Sequence, residues 1–161
     1  MKKIVNLPNS LQELMSQDLD LSEKINNGLN LIYEEFDASN CTFHKVDEDG
    51  LFLSLIGQIG LPEKIAAVAV KIPVGKGMAG ICAEKKEPVT MCNLQTDNSG
   101  VARPAAKETR VEGAVVVPLL NDSQEVIATI GIGKSEEYEY SEEELNCLGE
   151  CARILMDSLS T

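Results

Sequence analysis

Hydrophobic positions change their spacing along the chain, and the changes mark out the elements. Leu11, Leu14 and Met15 fall on one side of a helical piece over roughly Ser10–Gln17. Ile25, Leu29, Ile32 and Phe36 recur at helical spacing from about Ser22 to Phe36, with Asp20 and Ser22 as capping residues and Glu23 in the first turn. The period then drops to two. Cys41–Val46 reads as a strand, Asp47-Glu48-Asp49-Gly50 as a turn, and Leu51–Ile56 as the returning arm of a hairpin. Gly60-Leu61-Pro62 breaks the pattern. In Ala66–Val74 alanines favour a helix and valines a strand, and the reading adopted is a helical turn near Pro62–Ile65 followed by a strand into Pro73.

Ile72-Pro73-Val74-Gly75-Lys76-Gly77-Met78-Ala79-Gly80 carries this strand through a glycine-pinched turn into a short helix, Gly77–Lys86. A short strand, Pro88–Met91, follows. Cys92–Glu112 is polar and contains one proline. It reads as a long loop with a helical turn near Ala105–Thr109, and loops of that length inside a compact domain tend to be functional. Gly113–Leu120 and Glu125–Gly133 form a hairpin across Asn121-Asp122-Ser123. Both arms are apolar on both faces, which places them mid-sheet with cover on each side. Ser141-Glu142-Glu143-Glu144 opens a last helix with acids at its positive end. Leu145, Leu148, Ala152, Leu155 and Leu159 line one side of it, while Cys147, Cys151 and Ile154 add a second apolar line. A helix apolar on two sides needs two partners. The expected pair is the Ser22–Phe36 helix and a second subunit, hence a homodimer through the terminal helices.

Composition narrows the class. With 161 residues, 43% hydrophobic and 25% charged, one globular domain over residues 1–161 is expected, with a helical extension over about residues 1–20. No apolar run approaches the roughly 20 residues of a bilayer span, and Met1–Asn6 leads into no long apolar stretch, so a cytoplasmic location and no membrane partner are expected. The net charge of −12 argues against a nucleic-acid partner. The charge is uneven. Residues 71–112 hold seven basic side chains against five acids, a balance of +2, and the rest of the chain carries −14.

The five cysteines, Cys41, Cys82, Cys92, Cys147 and Cys151, include no CxxC pair, and the odd number suits free thiols better than a disulfide framework. Cys82 and Cys92 read as small buried apolar side chains. His44 is the single histidine. No metal-ligand spacing surrounds it, no metal or other cofactor is expected, and it reads as an exposed or half-buried strand residue beside Lys45. Gly75-Lys76-Gly77-Met78-Ala79-Gly80 matches GxGxxG, but a dinucleotide fingerprint belongs in the first βαβ unit of a parallel sheet. Hairpins stand on both sides of it here, so its glycines read as a tight strand-to-helix turn.

The polar loop is the candidate site. Asn93, Gln95, Thr96, Asp97 and Asn98 precede Arg103, Lys107, Thr109, Arg110 and Glu112. Arginine offers a planar donor fork to carboxylate or phosphate, and Asn and Thr can orient a ligand. The selected ligand-binding set is Asn93, Thr96, Asp97, Arg103, Lys107, Arg110 and Glu112, with Arg103 or Arg110 as the main electrostatic partner of a small anionic metabolite.

The strand, Pro-x-Gly-x-Gly-x-x-Gly turn and helix, the short strand, the polar loop, the strand ending Val116-Val117-Pro118-Leu119 and the return through Ile130-Gly131-Ile132-Gly133 together resemble the GAF domain, over about Leu21–Leu159. The resemblance implies an α+β fold. A central antiparallel sheet carries the first and last helices on one face and a loop-roofed ligand pocket on the other. It implies a sensor or regulatory domain in intracellular signalling, acting through dimerisation or a separate signalling protein. One enzymatic branch, free methionine-R-sulfoxide reductase, is similar. That branch carries a cysteine just before the last glycine of the turn, where this chain has Ala79, and another ahead of the Val-Pro-Leu strand in a His-x-x-Cys context, where this chain has Val101-Ala102-Arg103-Pro104. Catalytic residues are therefore not expected. A thiol enzyme of that kind and a purely structural dimerisation module remain the alternatives. The cysteines expected for bilin attachment and the cyclic-nucleotide signature are also missing, and heme ligation would rest on His44 alone.

Overall fold

The computed structural model describes residues 2–96, 99, 101, 104–107 and 109–159. A 3-10 turn, Lys2–Asn6, leads into α1 (Leu7–Met15) and α2 (Leu21–Glu35). The hairpin β1 (Asn40–Val46) and β2 (Phe52–Ile59) is followed by α3 (Glu63–Ala69), β3 (Lys71–Pro73), α4 (Gly77–Lys85) and β4 (Val89–Met91). Beyond a 3-10 turn at Leu94–Thr96 come α5 (Pro104–Lys107), the hairpin β5 (Gly113–Leu120) and β6 (Val126–Lys134), and α6 (Glu142–Leu159). The strands form one six-stranded sheet in the order β3-β2-β1-β6-β5-β4, each neighbour pair antiparallel. The architecture is α+β, as the sequence suggested.

Alternation in the strands divides the sheet into two faces. Cys41 and Phe43 of β1, Val115 and Val117 of β5, and Ala128, Ile130 and Ile132 of β6 enter the main core beneath α1, α2 and α6. Ala114 and Val116 of β5 join Met78, Cys82, Met91, Leu94 and Val111 in a smaller core on the opposite face, beneath α4 and the long loop. β6 and β5 are apolar on both faces because both faces are covered.

α1 begins earlier than the expected Ser10, with Pro8 in its first turn, where a missing backbone donor costs nothing. Leu7, Leu11 and Met15 are buried. α1 packs on both α2 and α6, and the three helices meet at Gly28, where a Cβ would stand 3.0 Å from side-chain atoms of Leu11, Met15 and Leu155. The N-terminal helix thus completes the helical layer. It also answers the two-sided apolarity of α6. Cys147, Cys151 and Ile154 are buried within the chain, and the Cys147 thiol lies 3.6 Å from the Ile4 carbonyl. The second apolar line is buried within the chain's own main core, with the N-terminal segment against Cys147, so it does not by itself call for a second subunit.

α6 is closed by a reciprocal cap. The Ser141 hydroxyl accepts from the Glu144 N–H at 3.2 Å, and Glu144 Oε1 accepts from the Ser141 N–H at 2.9 Å. Glu144 Oε2 also takes the Tyr138 hydroxyl at 2.6 Å, which accounts for a buried acid. Asp20 stands at the N-cap of α2 but makes no side-chain capping bond.

The ambiguous segment resolves differently from the expectation. Glu63–Ala69 is a helix, and the strand shrinks to Lys71–Pro73 at the sheet edge. Alanine-rich sequence after Pro62 is adequate helix material. Its Ile65 is buried against the sheet while Val68 and Val70 remain exposed. That helix roofs the site described next.

Candidate functional site

The strand-to-helix turn is built on glycines. Gly75 and Gly77 have φ of 93° and 68°, in the left-handed region. The Gly75 N–H donates to the Gly80 carbonyl at 2.8 Å, and a Cβ at Gly80 would stand 2.4 Å from the Pro73 carbonyl oxygen. This turn sets α4 close against the sheet.

Between the sheet and its roof lies a cavity of about 160 Å³. Its floor is Thr42 and His44 of β1, Gly131 and Gly133 of β6, and Ala114 and Val116 of β5. Ile65, Val68 and Ala69 of α3 and Met78 and Ala79 of α4 form the roof, and Leu94, Thr109 and Val111 close the end. The lining is apolar with a few neutral polar groups, and among the described residues none that lines it carries an acid or a permanent cation. A shallower depression adjoins it, lined by Pro62, Lys64, Gln95, Lys107 and Arg110 and sharing Ile65 with the cavity. A neutral chamber therefore meets a cationic shelf.

His44 corrects its expected place. It is only 2% exposed, on the cavity face of β1 beside an irregularity in the β1–β2 register. Nε2 lies 2.9 Å from the carbonyl of Ala69, the last residue of α3. Burial pushes the imidazole below its usual range, partly offset by that carbonyl. Among the described residues, His44 Nδ1 and the hydroxyl of Thr129, its cross-strand partner on β6, are buried with no hydrogen-bond partner.

Of the loop residues selected from sequence, none among the described ones lines the cavity itself, and Lys107 and Arg110 line the shelf beside it. Asn93 holds the loop together: its amide donates to Glu137 at 2.8 Å and to Glu112 at 3.3 Å, and its Oδ1 accepts from the Gln95 N–H at 3.0 Å. Thr96 donates to the Asn93 carbonyl at 3.4 Å. Gln95 reaches across the loop to the carbonyls of Lys107, at 2.9 Å, and Val111, at 2.7 Å. Lys107 and Arg110 come together on the shelf, and Arg110 is exposed with φ 65°. Asp97 and Arg103 lie outside the described residues. Thr109 is the loop hydroxyl that lines the cavity.

Sequence reasoning missed the β1 pair Thr42 and His44 and the roof of α3. The strand pattern held a signal for the first two: in Cys41-Thr42-Phe43-His44 the polar residues alternate with core residues, so they share a face.

Cys82 is buried as expected, its thiol 3.6 Å from the Val116 carbonyl and pushed up to about 12 by burial. Cys92, just past the end of β4 at the start of the loop, is exposed and not buried as expected. Among the described residues no group of three or more His, Cys, Asp or Glu is placed to hold a metal, and no helix is long and apolar enough to cross a membrane.

A two-sided antiparallel sheet with terminal helices on one face and a roofed cavity on the other is the GAF architecture, which typically serves ligand-binding regulatory domains. The chain belongs to the GAF domain family, which it matches over residues 18–159. Solved structures agree. The free methionine-R-sulfoxide reductase of Neisseria meningitidis, in complex with its substrate, superposes with a TM-score of 0.80 at 19% identity, covering 99% of this chain and 91% of that one. The GAF domain of a phosphoenolpyruvate-protein phosphotransferase from Coxiella burnetii gives 0.81 at 16% identity, covering 99% and 94%. Its counterpart from Acinetobacter gives 0.74 at 12% identity, covering 98% and 95%. At these identities the likeness is one of fold. No curated protein matches the chain at a significant level.

Proposed function

We propose that this chain is a regulatory GAF domain that senses a small molecule, with the apolar body of the ligand in the cavity and an anionic end, such as a carboxylate, on the shelf of Lys64, Lys107 and Arg110. The observation that carries this reading is the junction at Ile65 of an uncharged chamber with a cationic rim. The free thiols favour a reducing compartment, consistent with intracellular signalling. The apolar seam of α6 supplies no argument for pairing two copies, since it is filled within the chain.

The function is binding rather than catalysis. Ala79 lines the cavity at the turn position where the resemblance to the reductase branch implies a cysteine, and the Cys82 thiol is turned to the Val116 carbonyl. Native mass spectrometry of freshly purified protein, followed by thermal-shift screening of aromatic and aliphatic carboxylates against their methyl esters, tests the proposal. Carboxylates should stabilise more than esters, and Ala114→Phe, which fills the chamber, should abolish both responses. Lys64 and Arg110 are exposed, so Arg110→Ala should weaken carboxylates by only about 0.2–1 kcal/mol. Esters and acids stabilising equally, with Arg110→Ala silent, would remove the anionic part of the reading. Full ligand response in Ala114→Phe would remove the cavity from it.

A further inference from the structure

We infer that His44 selects the ligand of this cavity: its Nδ1 accepts a hydrogen bond from an uncharged N–H or O–H group of the bound molecule, and through Nε2 the same ring ties that ligand to the roof helix α3. The inference rests on the reading of the cavity as a ligand site and adds the chemistry of what enters it.

The Ala69 carbonyl fixes the tautomer of His44. A carbonyl only accepts, so at 2.9 Å the Nε2 of His44 must carry the proton. Burial disfavours a second proton on the ring, so Nδ1 holds a lone pair. That lone pair is an acceptor inside a ring 2% exposed, on a residue lining the cavity, and no described group donates to it. The neighbouring Thr129 hydroxyl is in the same condition. Buried polar atoms are nearly always satisfied, and one that lacks a protein partner beside a cavity marks where a ligand atom belongs.

The chemistry of that atom follows from the lining. Among the described residues no carboxylate lines the chamber to pair with an ammonium, and a charged donor against this lining would be buried without a partner. An alcohol, phenol, amide or ring N–H meets Nδ1 without that penalty. The ligand therefore combines an uncharged donor within the chamber and an anion at its rim.

The ring also connects occupancy to structure. Ala69 ends α3, whose Ile65 and Val68 cover the cavity. A donor at Nδ1 fixes the tautomer with its proton on Nε2, and hydrogen bonds in series polarise one another, so ligand binding strengthens the bond that holds the roof.

Phenol and toluene differ by a hydroxyl in place of a methyl and suit a chamber of this size. The chain has a single histidine, so in untagged, 15N-labelled protein the imidazole nitrogens give one unambiguous pair of resonances. At pH 7.5 the ring should be neutral and protonated at Nε2. Phenol should bind at least as tightly as toluene, move the Nδ1 resonance where toluene does not, and slow hydrogen exchange in α3. His44→Gln, whose amide nitrogen can still reach the Ala69 carbonyl, should lose about tenfold in phenol affinity with toluene unchanged. His44→Asn, whose side-chain oxygen lies near the Nδ1 position, should keep phenol binding and lose the slowed exchange. Toluene binding with phenol excluded, or an Nδ1 resonance indifferent to phenol, would overturn the inference while leaving the cavity a ligand site. An Nδ1 resonance that moves on Thr129→Val without any probe, and not with phenol, would assign the lone pair to Thr129 and overturn it equally. Binding of neither probe would remove the cavity reading and this inference with it.

Discussion

The backbones of Gly80 and Pro73 touch: a Cβ at Gly80 would stand 2.4 Å from the Pro73 carbonyl oxygen, far inside any contact a side chain makes. The obstacle is backbone, so it cannot rotate away. The turn that brings α4 over the sheet, and with it Met78 and Ala79 to the cavity wall, depends on this approach.

Gly80→Ala should therefore destabilise the fold by about 2–3 kcal/mol, as overpacking against rigid atoms does. Gly149→Ala makes the contrast. It lies inside α6, where a Cβ would meet only Val117 Cγ1 at 3.8 Å, and it should stabilise by about 0.5–1 kcal/mol through helix propensity. Urea unfolding of the two variants side by side decides the matter. Equal and small effects would mean that the turn can relax.

Ile154 separates an interface from a core. It is 3% exposed in the helical layer formed by α1, α2 and α6. A carboxylate there has no cationic partner within the cluster, so Ile154→Glu should cost on the order of 4 kcal/mol of folding stability at neutral pH. The reading is a large drop in the unfolding midpoint at a protein concentration where sedimentation is unchanged. Dissociation of an assembly with the midpoint intact would restore the seam to a subunit interface.

The two hairpins, the glycine turn and the three large helices were all legible, because each has a period or a punctuation that only one backbone satisfies. The Ser141 and Glu144 cap could be read from four residues. Ala66–Ala69 could not be. Alanine and valine in short alternation suit either state, and the outcome depends on the sheet edge stopping at Lys71 and the cavity needing a roof, neither of which is local. The site was legible only in part, since Lys107 and Arg110 meet on the shelf while no other selected residue lines the cavity among the described ones. Loop length and charge drew attention to Asn93 and Glu112, yet the loop spends them on holding itself together, and the cavity lies on strands that the loop merely closes. His44 looked exposed because Lys45 follows it. Its burial comes from α3 folding over β1, a contact between residues 25 apart in sequence.

Burial of His44 gives stability a pH dependence with a definite sign. Its folded-state value lies below the ordinary 6.5, so below pH 6.5 the unfolded chain takes up a proton that the folded chain resists. The contribution is fully present above pH 6.5 and is lost as pH falls toward the folded value, with a slope of at most about 1.4 kcal/mol per pH unit. Asp47 acts in a lower window. Its hydrogen bond from Ser54, then its pairing with Lys71, holds it below the ordinary 3.8, so its contribution is present above that value and lost beneath it. Denaturant titrations should show a midpoint that falls as pH drops from 7 to 5 in the wild type and stays flat in His44→Gln. Parallel curves would place the titrating group elsewhere.

The cysteines test whether the chain is a binder or a reductase. Attack on a sulfoxide requires a thiolate at the cavity, and a second thiol to resolve the intermediate. The cavity wall offers Ala79. Burial pushes Cys41 and Cys82 up to about 12, so at pH 8 only about one in ten thousand of either thiol is ionised. Cys151 is pushed up as well, first by its hydrogen bond with Cys147. The same bond lowers Cys147, which is nevertheless buried on the helical side of the sheet, away from the cavity. Cys92 is exposed at the start of the loop. Iodoacetamide at pH 8 should therefore label Cys92 well ahead of the other four, and peptide mapping over time reads the order. Free methionine-R-sulfoxide with a dithiol reductant should not be turned over, and Cys92→Ser should leave ligand-induced thermal shifts unchanged. Turnover that disappears in Cys92→Ser would make the loop thiol a nucleophile and return the chain to the enzymatic branch of its family. Early labelling of Cys82 would show that α4 opens far enough to free its thiol from the Val116 carbonyl, and would give a reductase the second sulfur it needs.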